Sequence, residues 1–244
     1  MKRVKLFEEF LTEGVNDPGI LKAFFMAGGP GSGKSYVSGE LFGFTPDSIS
    51  SLSHLGLKLI NSDVAFEIMM KDAKLEIADM AEYEKDPTKW SEVMSLRDKA
   101  KHITKNRQDA YIGGRLGQVI DGTGKDYNKI RGARELYKDL GYDTYMVFVN
   151  TSLEIALERN QKRARKLSDE LVESMWKEVQ QNIGKFMDLF GSDKMLIVDN
   201  SADDRTTLDR VQKLIRQKMK EAIQNPVGKK WMKEEADRTK NKPY

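Results

Sequence analysis

A chain of 244 residues with a formal charge of only +3 and no cysteine has room for one substantial α/β domain with appendages. The missing cysteines exclude disulfides, thiolate metal sites and cysteine nucleophiles together. Hydrophobic residues at 39% against 32% charged residues fit a soluble globular protein rich in exposed helix, and no apolar run approaches the roughly 18 residues of a membrane span.

Taken in chain order, MKRVKLFEEFLTEG alternates apolar and charged positions at helical spacing, which predicts an N-terminal helix within residues 1–16. Its Glu8, Glu9 and Glu13 stand where a secretory leader would be apolar, so a cytoplasmic location is expected. The main domain is expected over 17–224. Ile20 to Ala27 is a compact apolar run that reads as a buried strand entering a glycine-rich stretch, followed by a helix over Lys34 to Phe42. Thr45 to Ser53 reads as a loop and Leu57 to Ile60 as a second strand.

From about 64 to 116 the periodicity is helical and highly charged, a long insertion broken near Asp86-Pro87, with Thr88 placed to cap the next helix. Three further strands are predicted at Gln118–Asp121, Tyr142–Val149 and Lys194–Asp199, each separated by helical sequence, as in a parallel sheet covered on both faces. From 225 to 244 the sequence is polar and basic and its periodicity fades, which predicts a mobile tail. That segment carries six basic residues against three acidic ones, the whole charge surplus, so the body is near neutral and its charge gives no reason to expect nucleic acid there.

The strongest chemical signal is Gly28-Gly29-Pro30-Gly31-Ser32-Gly33-Lys34-Ser35, a Walker A pattern directly after a strand and before a helix. Glycines let successive backbone N–H groups turn inward, and the following helix adds its positive end, so the loop is an anion cradle for the phosphates of ATP. Lys34 is expected at the β and γ phosphates, Ser35 on Mg2+, and Tyr36 beside the nucleotide. The second strand ends in Asn61-Ser62-Asp63, which puts a carboxylate at the edge where ligands of open α/β sheets bind. Asp63 is therefore either a general base for an acceptor hydroxyl or the cap of the helix that begins at Val64. Asp121, within VIDGTG at the end of the third strand, is either a second contact to Mg2+ or a turn residue before Gly122. Thr123 and Lys125 lie beside it.

Arg159, Arg163 and Arg165 fall in a basic run, ERNQKRARK, with the first two four residues apart and so on one helix face. They read as a solvated helix or as a lid, over about 159–168, that steadies charge on a transferring phosphoryl group. His54 and His102 lack metal-ligand spacing, and Trp90, Trp176 and Trp231 read more readily as core than as stacking platforms.

In GGPGSGKS, NSD at 61 to 63, VIDGTG and ERNQKRARKLSDELVESMWKEV, the chain resembles the 5′-polynucleotide kinases and the zeta-toxin-like kinases over most of residues 20 to 190. The resemblance implies a P-loop NTPase fold, three layers αβα, with five parallel strands ordered 2-3-1-4-5. It also implies Asp63 as general base, Lys34 and Ser35 on ATP and magnesium, and Arg159, Arg163 or Arg165 acting from the lid. An arginine usual three residues after the acid in those families is Phe66 here, and Arg97, Lys101, Lys105, Arg107 and Arg115 on the insertion are candidates for the missing charge. Three readings follow: a kinase acting on a nucleic-acid end or nucleotide-like acceptor, a sugar-nucleotide kinase, or an ATP-binding scaffold or switch with no need of Asp63.

Overall fold

The computed structural model describes residues 15–44, 53–163, 166–202 and 205–240. The expected N-terminal helix, most of the loop from Thr45, and Arg165 therefore lie outside the described residues. Five strands, β1 Lys22–Ala27, β2 Lys58–Ile60, β3 Gln118–Asp121, β4 Asp143–Asn150 and β5 Met195–Asp199, form one sheet. All pairings are parallel and the order is β2-β3-β1-β4-β5, as the resemblance implied.

Alternation along β1 sets the layers. Phe24 and Met26 face one core with Val37, Leu41 and Phe42 of α1 (Lys34–Phe42) and Leu208, Val211 and Ile215 of α9 (Thr206–Lys220). Ala23, Phe25 and Ala27 face the other, where Tyr137 of α5 (Tyr127–Asp139), Val179 of α7 (Asp169–Gln181) and Phe186 and Phe190 of α8 (Ile183–Phe190) pack. Both faces of the sheet are thus covered, so the strand interiors are apolar runs, with polar residues such as Lys22, Gln118 and Asp143 at their starts.

The insertion builds a third, separate core. Phe66 and Met70 of α2 (Asp63–Asp72) pack with Met80 and Tyr83 of α3 (Met80–Tyr83) and with Val93 and Ala100 of α4 (Pro87–Gly113). Asp86, not Thr88, caps α4: its Oδ1 accepts from the N–H of Thr88 and of Lys89, at 2.9 and 3.2 Å, with Pro87 at the first helical position where its missing N–H costs nothing.

Past residue 225 the structure differs from the mobile tail expected. Pro226–Lys240 is a helix, α10, started by Asn225, whose Oδ1 accepts from the N–H of Val227 at 3.0 Å. Trp231 and Met232 pack against the second core, and Gly228 sits so close to Gly141 that a Cβ there would lie 2.2 Å from the Gly141 carbonyl oxygen. A few anchors hold an otherwise polar helix, so its sequence shows little periodicity.

Candidate active site

Because every strand runs the same way, residues that follow β1, β2, β3, β4 and β5 meet at one edge of the sheet. The loop after β1 is the cradle. Gly31 and Gly33 have φ of 75° and 78°, left-handed values that suit glycine, and Gly33 forms the N-cap of α1. Neither position has room for a side chain. A Cβ on Gly31 would fall 2.3 Å from the Ala156 carbonyl oxygen of α6 (Leu153–Gln161), and one on Gly33 would fall 2.3 Å from Asn200 Nδ2. Asn200, just beyond β5, in turn donates through Nδ2 to the Ser32 carbonyl oxygen at 2.8 Å and braces the loop.

Lys34 leads α1 and its Nζ lies 3.0 Å from Asp121 Oδ1, a charge contact without hydrogen-bond alignment. Asp121 Oδ2 accepts from Asn61 Nδ2 at 2.8 Å, which links the ends of β2 and β3. Ser35 and Tyr36 are exposed on the first turn of α1, and the Tyr36 hydroxyl accepts from Arg205 Nη1 at 3.4 Å. The main chain of Thr123 and Lys125 is used structurally: the Thr123 carbonyl accepts from Gly28 N–H at 3.0 Å, and that of Lys125 from Asn182 Nδ2 at 2.9 Å.

Asp63 is the first residue of α2 and is not its cap, which removes that alternative. Ser62 holds the N-cap position without a side-chain bond, and the N–H of Asp63 is taken by Asn61 Oδ1 at 2.7 Å. The Asp63 carboxylate is 57% exposed and turns instead to Arg97 of α4, with Nη2 and Oδ1 3.1 Å apart. One turn on, burial and the nearby Asp63 charge push the Glu67 carboxyl above its ordinary range, while Arg163 pulls it back. Asp63, Glu67, Arg97 and Arg163 therefore share one electrostatic neighbourhood.

The lid segment departs from expectation in one respect. Arg159 lies in the last turn of α6, which ends at Gln161, so Arg163 lies in the turn beyond it and the two do not share a helix face. Asn160, fully buried, causes the break by turning its side chain onto the loop: Nδ2 donates to the Leu167 carbonyl at 2.8 Å and Oδ1 accepts from Leu167 N–H at 3.1 Å. Ser168 then caps α7, accepting from Leu171 N–H, and Trp176 Nε1 fastens that helix to the Thr151 carbonyl at 2.8 Å. Arg159 Nη1 is buried without a hydrogen-bond partner and lies 3.5 Å from where a Gly33 Cβ would stand, against the cradle.

Of the insertion's cations, Arg97 reaches this edge. Lys101 and Lys105 pair with Asp98 and Asp109 on the exposed face of α4, and Arg107 is exposed. Arg115 lies beyond the far end of the helix, its guanidinium 6.0 Å from the Trp231 ring. From Arg97 to the end of α4 is about 24 Å at 1.5 Å per residue, which sets Arg115 apart from this edge. His54 covers Gly43, His102 contacts Asn106, and among the described residues no group of three His, Cys, Asp or Glu is placed to hold a metal. Among them, too, no helix is long and apolar enough to cross a membrane.

A family model described as AAA domain matches residues 24–186, well over half of the chain. No curated protein matches. Among solved structures, the AvrRxo1-ORF1:AvrRxo1-ORF2 complex with sulphate ions aligns at a TM-score of 0.53 and 14% identity, covering 82% of this chain and 64% of that one. This chain thus spans just under two thirds of that neighbour's length. The PezAT chromosomal toxin-antitoxin system of Streptococcus pneumoniae aligns at 0.51 and 16%, covering 96% and 94%. The native AvrRxo1-ORF1:ORF2 complex aligns at 0.51 and 10%, covering 95% and 83%. At such identities the likeness is one of fold, and it agrees with the P-loop kinase-like fold read from the sequence.

Proposed function

The chain belongs to the AAA domain family, and from that premise and the geometry above we propose a magnesium-dependent ATP phosphotransferase that moves the γ-phosphate to a hydroxyl of a nucleic-acid end or nucleotide-like acceptor. The observation that carries the reading is Asp63, a carboxylate at the catalytic edge that caps nothing and stays half open to solvent. A scaffold or switch would have no use for it.

The residues fit a polyphosphate. The cradle has no room for side chains at Gly31 or Gly33, and Ser32 Oγ, Asp121 Oδ1 and Arg159 Nη1 are buried atoms without hydrogen-bond partners. A triphosphate in the cradle draws Lys34 onto its β and γ oxygens. Ser35 and Asp121 are the residues that would hold magnesium. So small a protein ligand set suits an ion bound mainly through phosphates and water. Magnesium, when bound, neutralises charge on the β and γ oxygens.

Asp63 takes the proton of the acceptor hydroxyl as its oxygen bonds to the γ-phosphorus. The bond from phosphorus to the β–γ bridging oxygen breaks and ADP leaves with that electron pair. Arg159 and Arg163 steady the equatorial oxygens from the lid. The test is γ-labelled ATP offered separately with 5′-hydroxyl DNA and RNA, nucleosides and UDP-sugars, alongside the variant Asp63→Ala. Labelled acceptor that disappears in Asp63→Ala while ATP binding persists supports the reading. Full transfer in that variant, or no affinity for any nucleoside triphosphate with magnesium, sinks it. Label on UDP-sugars alone moves the acceptor class to sugar nucleotides, and a partner bound in an ATP-dependent way by Asp63→Ala favours the switch.

A further inference from the structure

Arg97 is held from two sides. Its guanidinium lies 4.8 Å from the centroid of the Phe66 ring and 3.1 Å from Asp63 Oδ1. Phe66 is 1% exposed in the insertion's own core, so the ring is a fixed platform. The Arg97 side chain is itself 30% exposed, so it is held between ring and carboxylate yet remains accessible to solvent. A planar cation held over a ring and paired with a carboxylate is restricted in the direction its N–H fork can take, and that fork is how arginine recognises oxyanions bidentately.

The pairing has a chemical cost for the reaction proposed above, on which this inference rests. A base must accept the hydroxyl proton on a free oxygen, and here one oxygen of the base is engaged by a guanidinium. A neutral alcohol that enters the cleft leaves that pair in place. An alcohol with its own phosphate offers the guanidinium a second partner of higher charge, and the exchange frees Asp63 Oδ1 for the hydroxyl. Glu67, one turn along α2, repels an entering anion, so the attraction has to come from Arg97 and from Arg163, whose charge reaches Glu67.

We propose that Arg97 is the specificity-determining residue of the acceptor site: it receives an oxyanion carried by the acceptor, is drawn off Asp63 in doing so, and thereby selects phosphate-bearing alcohols over their neutral counterparts. Phe66 is its positioning residue. The insertion helix α4, rather than the helix that carries the base, thus supplies the acceptor's counter-charge.

The experiment measures kcat and KM for transfer from labelled ATP to matched pairs: glycerol 3-phosphate with glycerol, glycerate with glycerol, and a nucleoside 3′-monophosphate with its nucleoside. The wild-type protein is expected to prefer the anionic member by about ten- to a hundredfold in kcat/KM. Arg97→Met should bring that ratio near one, chiefly by raising KM for the anionic member, and Arg97→Lys should restore part of it. A preference for glycerate equal to that for glycerol 3-phosphate widens the ligand class to carboxylates. Retention of the wild-type ratio in Arg97→Met overturns the proposal.

Should the wild-type protein label nothing, the kinase reading fails and the anion site is judged by binding alone. The Arg97 15Nε resonance, identified by its loss in Arg97→Lys, is followed as inorganic phosphate is added. A saturable shift by about 10 mM keeps Arg97 as an anion site, and a resonance that does not move removes it.

Discussion

Lys34 Nζ lies 3.0 Å from Asp121 Oδ1, and the other oxygen of that carboxylate accepts from Asn61 at 2.8 Å. The cation that is to meet the triphosphate is therefore held at the cradle's edge by the acid proposed to help bind magnesium. Asp121→Asn uncouples the two roles. Nucleotide affinity measured in EDTA should hold or rise, because Lys34 no longer has to leave a carboxylate, while magnesium-dependent transfer should fall by about tenfold or more. Lys34→Ala should weaken nucleotide binding by about ten- to a hundredfold in either condition. Calorimetric titration with and without magnesium, beside the transfer assay, separates these outcomes, and an Asp121→Asn loss that is the same in both conditions would deny Asp121 a metal role.

Arg159 carries a prediction in which stability and activity part company. Its Nη1 is buried against the cradle and no protein group accepts from it, so the fold gains no internal hydrogen bond from that donor. Arg159→Met keeps much of the side chain's bulk and removes that donor, so its melting temperature should be no lower than that of the wild type. Phosphoryl transfer should nonetheless drop by about a hundred- to a thousandfold, mainly in kcat, the loss expected when one preorganised donor to the transition state is deleted. A large loss of stability, or an effect confined to KM, would make Arg159 a structural or ground-state contact instead.

Glycines in the cradle and on the surface should respond in opposite directions to the same substitution. Gly31→Ala places a methyl against the Ala156 backbone at a left-handed φ, so neither rotamer change nor small side-chain shifts can absorb it. A cost of at least about 2 kcal/mol is expected, with loss of nucleotide binding as the loop and α6 separate. Gly132, in the middle of α5, has nothing within 4 Å of an added Cβ, so Gly132→Ala should stabilise by about 0.5–1 kcal/mol. Urea titrations of both variants check the pair.

These contrasts also indicate what could be read from the chain before its structure. The cradle was legible because the loop, its flanking strand and its helix are contiguous, and the five strands because a sheet covered on both faces makes each one an apolar run. The braces of the site were not. Asn200 and Ser32 are separated by 168 positions and Arg97 lies on a different element from Asp63, so nothing local links either pair. A clue was present even so, since Asn61 and Asn200 each directly follow a strand at the ligand-binding edge. The lid's shared helix face failed because Asn160 spends its side chain on the loop and ends the helix early. The helix at 226–240 was hidden because its anchors are few, although Asn225-Pro226 is a start signal in its own right.

Alkaline pH should unfold the protein through its buried tyrosines. Burial pushes the Tyr137 hydroxyl up to about 12, against a slight pull from Gln108, and it pushes Tyr142 and Tyr145 upward as well. For each, the folded state holds its proton at a pH where the unfolded chain has lost it. Between about pH 10 and 12 the unfolded state therefore binds fewer protons, and stability, intact below pH 10, falls as pH rises, with Tyr137 alone accounting for about 2–3 kcal/mol. Lys22, whose pKa burial lowers, works against this trend below the ordinary lysine value of 10.5, because the unfolded chain there holds the proton more tightly. The net prediction is a urea midpoint that is flat or slightly rising toward pH 10 and then drops steeply. Tyr137→Phe should shallow that drop while lowering stability at pH 7, since Gln108 loses its acceptor at 2.9 Å and Gln118 Oε1 its donor at 2.7 Å, together about 1–3 kcal/mol. An unchanged alkaline limb in that variant would mean that Tyr137 ionises no less readily in the fold than in the free chain.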